Sequence, residues 1–129
     1  MIEREAENCP NIHLHVNAKN MSELMQMCDV AISASGSTLY ELCATQIPSV
    51  TFVVADNQSL IAEGFSSKDI IHNCGDIREL GSQKLAKLLI QEALMLCDNY
   101  DRRCMLSETM KSVVDGFGVS RILNAIMKN

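Results

Sequence analysis

Val30-Ala31-Ile32-Ser33-Ala34-Ser35-Gly36-Ser37-Thr38-Leu39-Tyr40-Glu41 is the stretch that decides how the chain is read. Its first five residues, Val30 to Ala34, form a short apolar run, the pattern of a buried strand. Ser35-Gly36-Ser37 interrupts that run, and Leu39, Leu42 and Cys43 then recur at helical spacing. A strand that turns through small residues into a helix lets the backbone come close to a ligand. The N–H groups of the first helical turn and the positive end of the helix dipole point the same way. Such a turn suits a phosphate or pyrophosphate, with Ser37 and Thr38 as hydroxyl donors and Glu41 as a carboxylate one turn on. The same residues also spell a capping box, Thr38-x-x-Glu41, whose side chains merely satisfy backbone N–H groups. Locally both readings stand.

Upstream, Asn20-Met21-Ser22-Glu23 is a capping box that opens a helix through Leu24, Met25, Met27 and Cys28. Before it, Ile12-His13-Leu14-His15-Val16 alternates apolar and polar, which predicts a strand with His13 and His15 facing solvent. A short polar helix precedes that, ended by Pro10. Downstream, the helix from Thr38 ends near Thr45, and Pro48 enforces the break. Ser49-Val50-Thr51-Phe52-Val53-Val54-Ala55 is rich in β-branched residues and predicts a buried strand. Asp56-Asn57-Gln58 follows, then a helix marked by Leu60, Ile61 and Phe65, then a short strand at Ile70-Ile71-His72. The remainder is helical. One segment starts at Ser82 and runs through Leu96, and another runs from about Asp101 to Val114. After the turn Asp115-Gly116-Phe117-Gly118, a last helix spans Val119 to Met127. Strands alternating with helices define an α/β fold, a partial Rossmann-like parallel sheet with flanking helices and a helical C-terminal tail.

With 129 residues, the chain is expected to form a single domain with a real core. Its net charge of −5, the absence of a Lys/Arg cluster and the lack of tryptophan argue against a nucleic-acid platform. The charged start, Met1-Ile2-Glu3-Arg4-Glu5, does not resemble a signal peptide, and no apolar run reaches spanning length. The six cysteines show no C-x-x-C pairing, and most lie in apolar patterns, as reduced buried thiols do. A cytoplasmic location is therefore expected. His13 and His15 lack the further ligands that a metal needs. Neither a Walker loop nor G-x-G-x-x-G occurs, so no cofactor is implied. Cys43 has no suitably placed histidine and Ser35 is not in G-x-S-x-G, so no catalytic residue is assigned.

In a parallel α/β sheet, ligands lie outside the carboxyl ends of the strands. Two polar clusters fall there: Ser35, Gly36, Ser37 and Thr38 with Glu41, and Asp56-Asn57-Gln58. They follow strands expected to be neighbours, and this convergence favours a ligand site. Asn57 and Gln58 can each donate and accept, which suits sugar hydroxyls and acetamido groups. Asp56-Asn57 also fits a simple N-cap, whereas Gln58 has no such local role in sequence.

Taken in order, these motifs resemble one family. They are Asn20-Met21-Ser22-Glu23-Leu24-Met25, Cys28-Asp29-Val30-Ala31-Ile32, Ser35-Gly36-Ser37-Thr38 with Tyr40-Glu41, Pro48-Ser49, Ala55-Asp56-Asn57-Gln58, and Val114-Asp115-Gly116-Phe117-Gly118 with Arg121. The family is the C-terminal half of the UDP-sugar hydrolases of the pseudaminic acid pathway and their spore-coat polysaccharide relatives. Those enzymes have the GT-B architecture and are similar to the peptidoglycan N-acetylglucosaminyltransferase. The resemblance implies a nucleotide-sugar-binding domain over residues 1–129, with a UDP-sugar as ligand. It places Ser35, Gly36, Ser37 and Thr38 at the pyrophosphate, Glu41 at the ribose, Asn57 and Gln58 on the sugar side, and backbone near Val16 at the uracil. Where the family has the first glycine of G-G-S-T, this chain has Ser35.

The family's catalytic histidine lies in an N-terminal half with no counterpart here, and none of His13, His15 or His72 matches its position. The resemblance therefore implies the binding half of a hydrolase, with a separate N-terminal-half protein as a partner. The alternatives are the donor-binding subunit of a glycosyltransferase and a non-catalytic interaction module. Two strands that the family carries between the counterparts of Ile12–Val16 and Val30–Ala34 are also missing. Val30–Ala34 is thus expected to have a bare edge, which either Ile12–Val16 or a second copy would cover; a homodimer is the expectation.

Overall fold

The computed structural model describes residues 2–128. Its helices and strands follow one another as α1 (Ile2–Asn8), α2 (Met21–Gln26), β1 (Ala31–Ala34), α3 (Thr38–Thr45), β2 (Ser49–Val53), α4 (Asp56–Ser66) and β3 (His72–Asp76). The helices α5 (Ile77–Leu80), α6 (Ser82–Asp98), α7 (Tyr100–Lys111) and α8 (Gly118–Met127) complete the chain. The three strands form one parallel sheet in the order β1-β2-β3. β2 lies in the middle, and its β-branched, nearly all-apolar sequence is what a strand covered on both faces requires.

Parallel neighbours need crossovers, and α3 and α4 supply them. Their apolar stripes fall on one face of the sheet, where Leu39, Leu42 and Cys43 of α3 meet Phe65 of α4, Ile70, Ile71 and Met110 of α7. α6 covers the opposite face through Leu85, Leu89 and Leu96, which pack with Val50 and with Leu106 of α7. The fold is therefore an α/β sandwich of the partial Rossmann-like kind, with the core split by the sheet. α3 stops where Gln46 adopts a left-handed conformation (φ 60°) and Ile47 N–H donates back to Leu42 O at 3.0 Å.

Several elements differ from the sequence expectations. Ile12–Val16 is not a strand: Ile12, Leu14 and Val16 are 44–68% exposed, and His13 and His15 are exposed too. Alternation predicts a strand only where one face is covered and the backbone finds a partner, and this segment has neither. The third strand starts two residues later than expected. Ile70 and Ile71 are buried, but they serve the junction: Asp69 is left-handed (φ 53°) and Ile70 N–H closes α4 by donating to Phe65 O at 3.1 Å. β3 itself contains a register irregularity opposite Thr51–Val53, where Gly75 has φ 107°. That left-handed conformation is what favours glycine; a Cβ there would also lie 2.9 Å from Leu80 Cδ1, a side-chain end that would have to shift. Finally, Cys43 is the buried cysteine, Cys74 is half-buried, and Cys9, Cys28, Cys97 and Cys104 are exposed. The last two lie on α6 and α7, away from the residues those helices bury.

Candidate functional site

β1 and β2 end side by side, and the expected site residues lie just beyond them. Ser35 N–H donates to Phe52 O at 2.8 Å and fastens the first loop to β2. Gly36 N–H then folds back onto Ala34 O at 2.8 Å. α3 starts tightly: Leu39 N–H donates to Gly36 O (3.1 Å) and Tyr40 N–H to Ser37 O (3.0 Å). The N–H groups of Ser37 and Thr38 find no acceptor among the described residues, so two donors are left at the start of the helix. The Thr38-x-x-Glu41 capping box does not form. Ser37 is the residue before the helix and is itself helical (φ −58°, ψ −24°), which leaves Thr38 inside the first turn and no side-chain cap. Glu41 is exposed, and its carboxylate makes no hydrogen bond among the described residues.

The second loop joins the first. Ala55 is extended (φ −151°, ψ 156°) ahead of α4, so the N-cap position is Ala55 and not Asp56 or Asn57. Asn57 is exposed in the first turn. Gln58 has a local role that its sequence position did not reveal: its Oε1 accepts the Val54 N–H at 3.0 Å. That bond turns the amide nitrogen toward the neighbouring loop, where a Cβ placed on Gly36 would lie 3.7 Å from Gln58 Nε2. Gly36 and Gln58 therefore lie side by side, and the two clusters do meet.

One charged group of this rim went unread in sequence. Asp76 ends β3 and caps α5, accepting the Arg78 N–H at 2.8 Å. The Arg78 guanidinium grips that carboxylate and reaches Asp56 at the start of α4 at 2.6 Å. Its hydrogen bonds hold the Asp76 carboxyl below the usual carboxylate range, and the two aspartates together raise the guanidinium's own pKa. Arg78 thus ties the β2 and β3 ends together with its charge already matched. The only local signal for it was a strand-ending aspartate two residues before an arginine.

Below the loops lie two buried hydroxyls without partners, Ser35 Oγ and Thr51 Oγ1. Elsewhere, His72 at the start of β3 faces Glu92 at 3.4 Å, at the opposite end of the sheet from the loops. Burial pushes the Cys43 thiol up to about 11, the reverse of what a nucleophilic thiol needs. Cys74 is likewise raised to about 11, by burial and then by the Glu92 carboxylate. Among the described residues, no three His, Cys, Asp or Glu side chains gather as a metal set, and no helix is long and apolar enough to cross a membrane.

Fold and loops together define a Rossmann-like α/β chain with two polar loops side by side at the carboxyl ends of two adjacent strands. Among known proteins, the chain is 42% identical over 62 residues to the pseudaminic acid cytidylyltransferase and UDP-2,4-diacetamido-2,4,6-trideoxy-beta-L-altropyranose hydrolase of Helicobacter pylori. That match covers 46% of this chain and 12% of the relative. It is also 26% identical over 121 residues to the spore coat polysaccharide biosynthesis protein SpsG of Bacillus subtilis, covering 94% of this chain and 34% of the relative. The two similarities bear out the family resemblance carried by the motifs. The chain thus spans about a third of one relative and about an eighth of the other. No protein-family model and no solved structure matches it.

Proposed function

We propose that this chain binds the nucleotide part of a UDP-linked amino sugar, as the C-terminal, donor-binding half of a nucleotide-sugar hydrolase in surface-polysaccharide or pseudaminic acid-like biosynthesis. The observation that carries the proposal is the meeting of the two loops, with Gly36 against the Gln58 amide and two unpaired N–H groups beside them. Those donors at the start of α3, with the Ser37 and Thr38 hydroxyls, suit the pyrophosphate. Glu41, exposed and unengaged one turn on, suits the ribose hydroxyls. Asn57 and the free end of Gln58 suit the sugar. The names of the two relatives, a UDP-sugar hydrolase and a polysaccharide biosynthesis protein, point to the same chemistry.

In this reading water attacks the anomeric carbon and UDP leaves, with the general base supplied by an N-terminal half. The thiols in the core are poorly suited to that task, and His72 lies at the opposite end of the sheet from the loops. The chain alone is accordingly expected not to release UDP from UDP-sugars above the uncatalysed rate. The test of binding is a substitution with a selective readout. Glu41→Ala should weaken UDP several-fold and leave inorganic pyrophosphate unchanged, because pyrophosphate has no ribose. Equal loss for both ligands, or for neither, would remove Glu41 from the site.

A further inference from the structure

We infer that Arg78 is a positioning residue for the sugar side of the site. By holding Asp56 it fixes the first turn of α4, which carries Asn57 and Gln58, and so sets how much an acetamido sugar adds to the binding of UDP. The inference rests on the UDP reading above and deepens it.

The turn from Val54 to Gln58 leaves the sheet at the end of β2 and brings both amides to the rim. It has few ties of its own. α4 has no side-chain cap, because Ala55 occupies the cap position. Gln58 closes the turn from inside, with its N–H on Ala55 O and its Oε1 on the Val54 N–H, both at 3.0 Å. Asn57, between the two, is exposed.

The outside tie comes from β3. Val53, the last residue of β2, is in register with Asp76, the last of β3, so the two strands end level. Arg78 turns back onto Asp76, its Nε donating to both carboxylate oxygens (3.0 and 3.1 Å) and its Nη2 to Oδ2 (2.5 Å). The remaining terminal nitrogen, Nη1, donates to Asp56 Oδ1 at 2.6 Å. The guanidinium thus bridges from the end of β3 to the first residue of α4.

Exposed ion pairs commonly contribute little, because two long side chains have to be held still. Here one of the two is already held. The Asp76 side chain is only 15% exposed and grips the guanidinium through three hydrogen bonds, so Arg78 is fixed whether or not Asp56 is present. Asp56 is short and 94% exposed, and its carboxylate stands at a helix start, where the positive dipole end also favours it. Holding Asp56 therefore holds the helix start. Asn57 and Gln58 are the next two residues, and Gln58 Nε2 lies 3.7 Å from where a Gly36 Cβ would be, so a tilt of this turn would part the two loops. Hydrogen bonding to a neutral acetamido group depends on such placement to within about 0.5 Å.

Calorimetry on the full chain gives the affinities of UDP and of UDP-N-acetylglucosamine, and the readout is their ratio. Arg78→Gln removes a positive charge from the rim and Asp56→Ala a negative one, so a pure charge effect on the phosphates moves UDP affinity in opposite directions. A positioning role lowers the sugar's contribution several-fold in both. Arg78→Lys keeps the charge without the fork and should lose that contribution too. The double variant should lose no more than the worse single, because the two residues act as one unit. In the nucleotide-free chain, Arg78→Gln should move the side-chain amide signals of Asn57 and Gln58 and leave the Ser37 and Thr38 amides in place. A ratio that stays at the wild-type value in either single variant, or a wild-type chain that binds UDP and gains nothing from the sugar, would overturn this inference alone. A wild-type chain that binds neither ligand would overturn the UDP reading and this inference with it. If Arg78→Gln does not fold, Asp56→Ala decides, because it leaves the grip of Asp76 intact.

Discussion

Replacing Thr51 by valine should make this protein more stable. Thr51 lies in the central strand between Ser33 of β1 and Asn73 of β3, is fully buried, and its hydroxyl has no hydrogen-bond partner. Folding removes that hydroxyl from water and returns nothing, a cost of about 1–3 kcal/mol. Valine keeps the β-branched shape that the strand favours, and its extra buried methyl contributes about 0.8 kcal/mol. Allowing for a tight fit around the new methyl, the net gain is about 1–2 kcal/mol. In a two-state urea titration the midpoint should rise with an unchanged slope. In a thermal scan Tm should rise by about 3–8 °C for a chain of this size. A lowered midpoint would refute the reasoning, because it would mean that the hydroxyl is satisfied in the folded protein.

Other expectations follow from the charges and the thiols. Asp115 accepts hydrogen bonds from Arg121, at 2.6 and 3.0 Å, and from the Phe117 N–H, which hold its carboxyl down to about 2. A depressed carboxylate pKa stabilises the folded turn above the unfolded value, near 3.9, and that contribution is lost as pH falls through about 2. Arg121→Ala should therefore raise the Asp115 pKa toward its ordinary value in a carbon-detected NMR titration, and an unmoved pKa would contradict the assignment. Thiol labelling should modify Cys9, Cys28, Cys97 and Cys104 rapidly in the native protein. Cys43 and Cys74, both protonated to about pH 11, should react only on unfolding.

Much of the sheet was legible because its residues serve one purpose each. Ser49–Val53 is apolar because both faces are covered, Val30–Ala34 is apolar although Ile32 stays half exposed at the sheet edge, and the breaks at Ser35-Gly36-Ser37 and Pro48 fall where the chain turns. Ile12–Val16 misled because alternation reports a pattern but not whether a neighbouring strand exists. Ile70-Ile71 misled because two buried isoleucines close a helix as readily as they start a strand. At the loops, sequence identified which residues stand at the strand ends but not how they are employed. The capping box failed on the backbone angle of Ser37, and Gln58 acquired a partner, the Val54 N–H, that lies four residues away. Arg78 stayed hidden because its partner Asp56 is 22 residues distant.

The central claim is that the loop after β1 and the first turn of α3 hold a pyrophosphate. Its most direct measurement is a titration of the ¹⁵N-labelled chain with UDP and, separately, UMP, followed by amide chemical shifts. The N–H groups of Ser37 and Thr38, unpaired in the structure, should move most with UDP, with Gly36 beside them. UMP should move them less because it lacks the second phosphate. An anion at a helix start contributes about 0.3–2 kcal/mol, so weak, fast-exchange binding is the expected regime. Saturating UDP that leaves Gly36, Ser37 and Thr38 in place, or that shifts a different surface, would contradict the account.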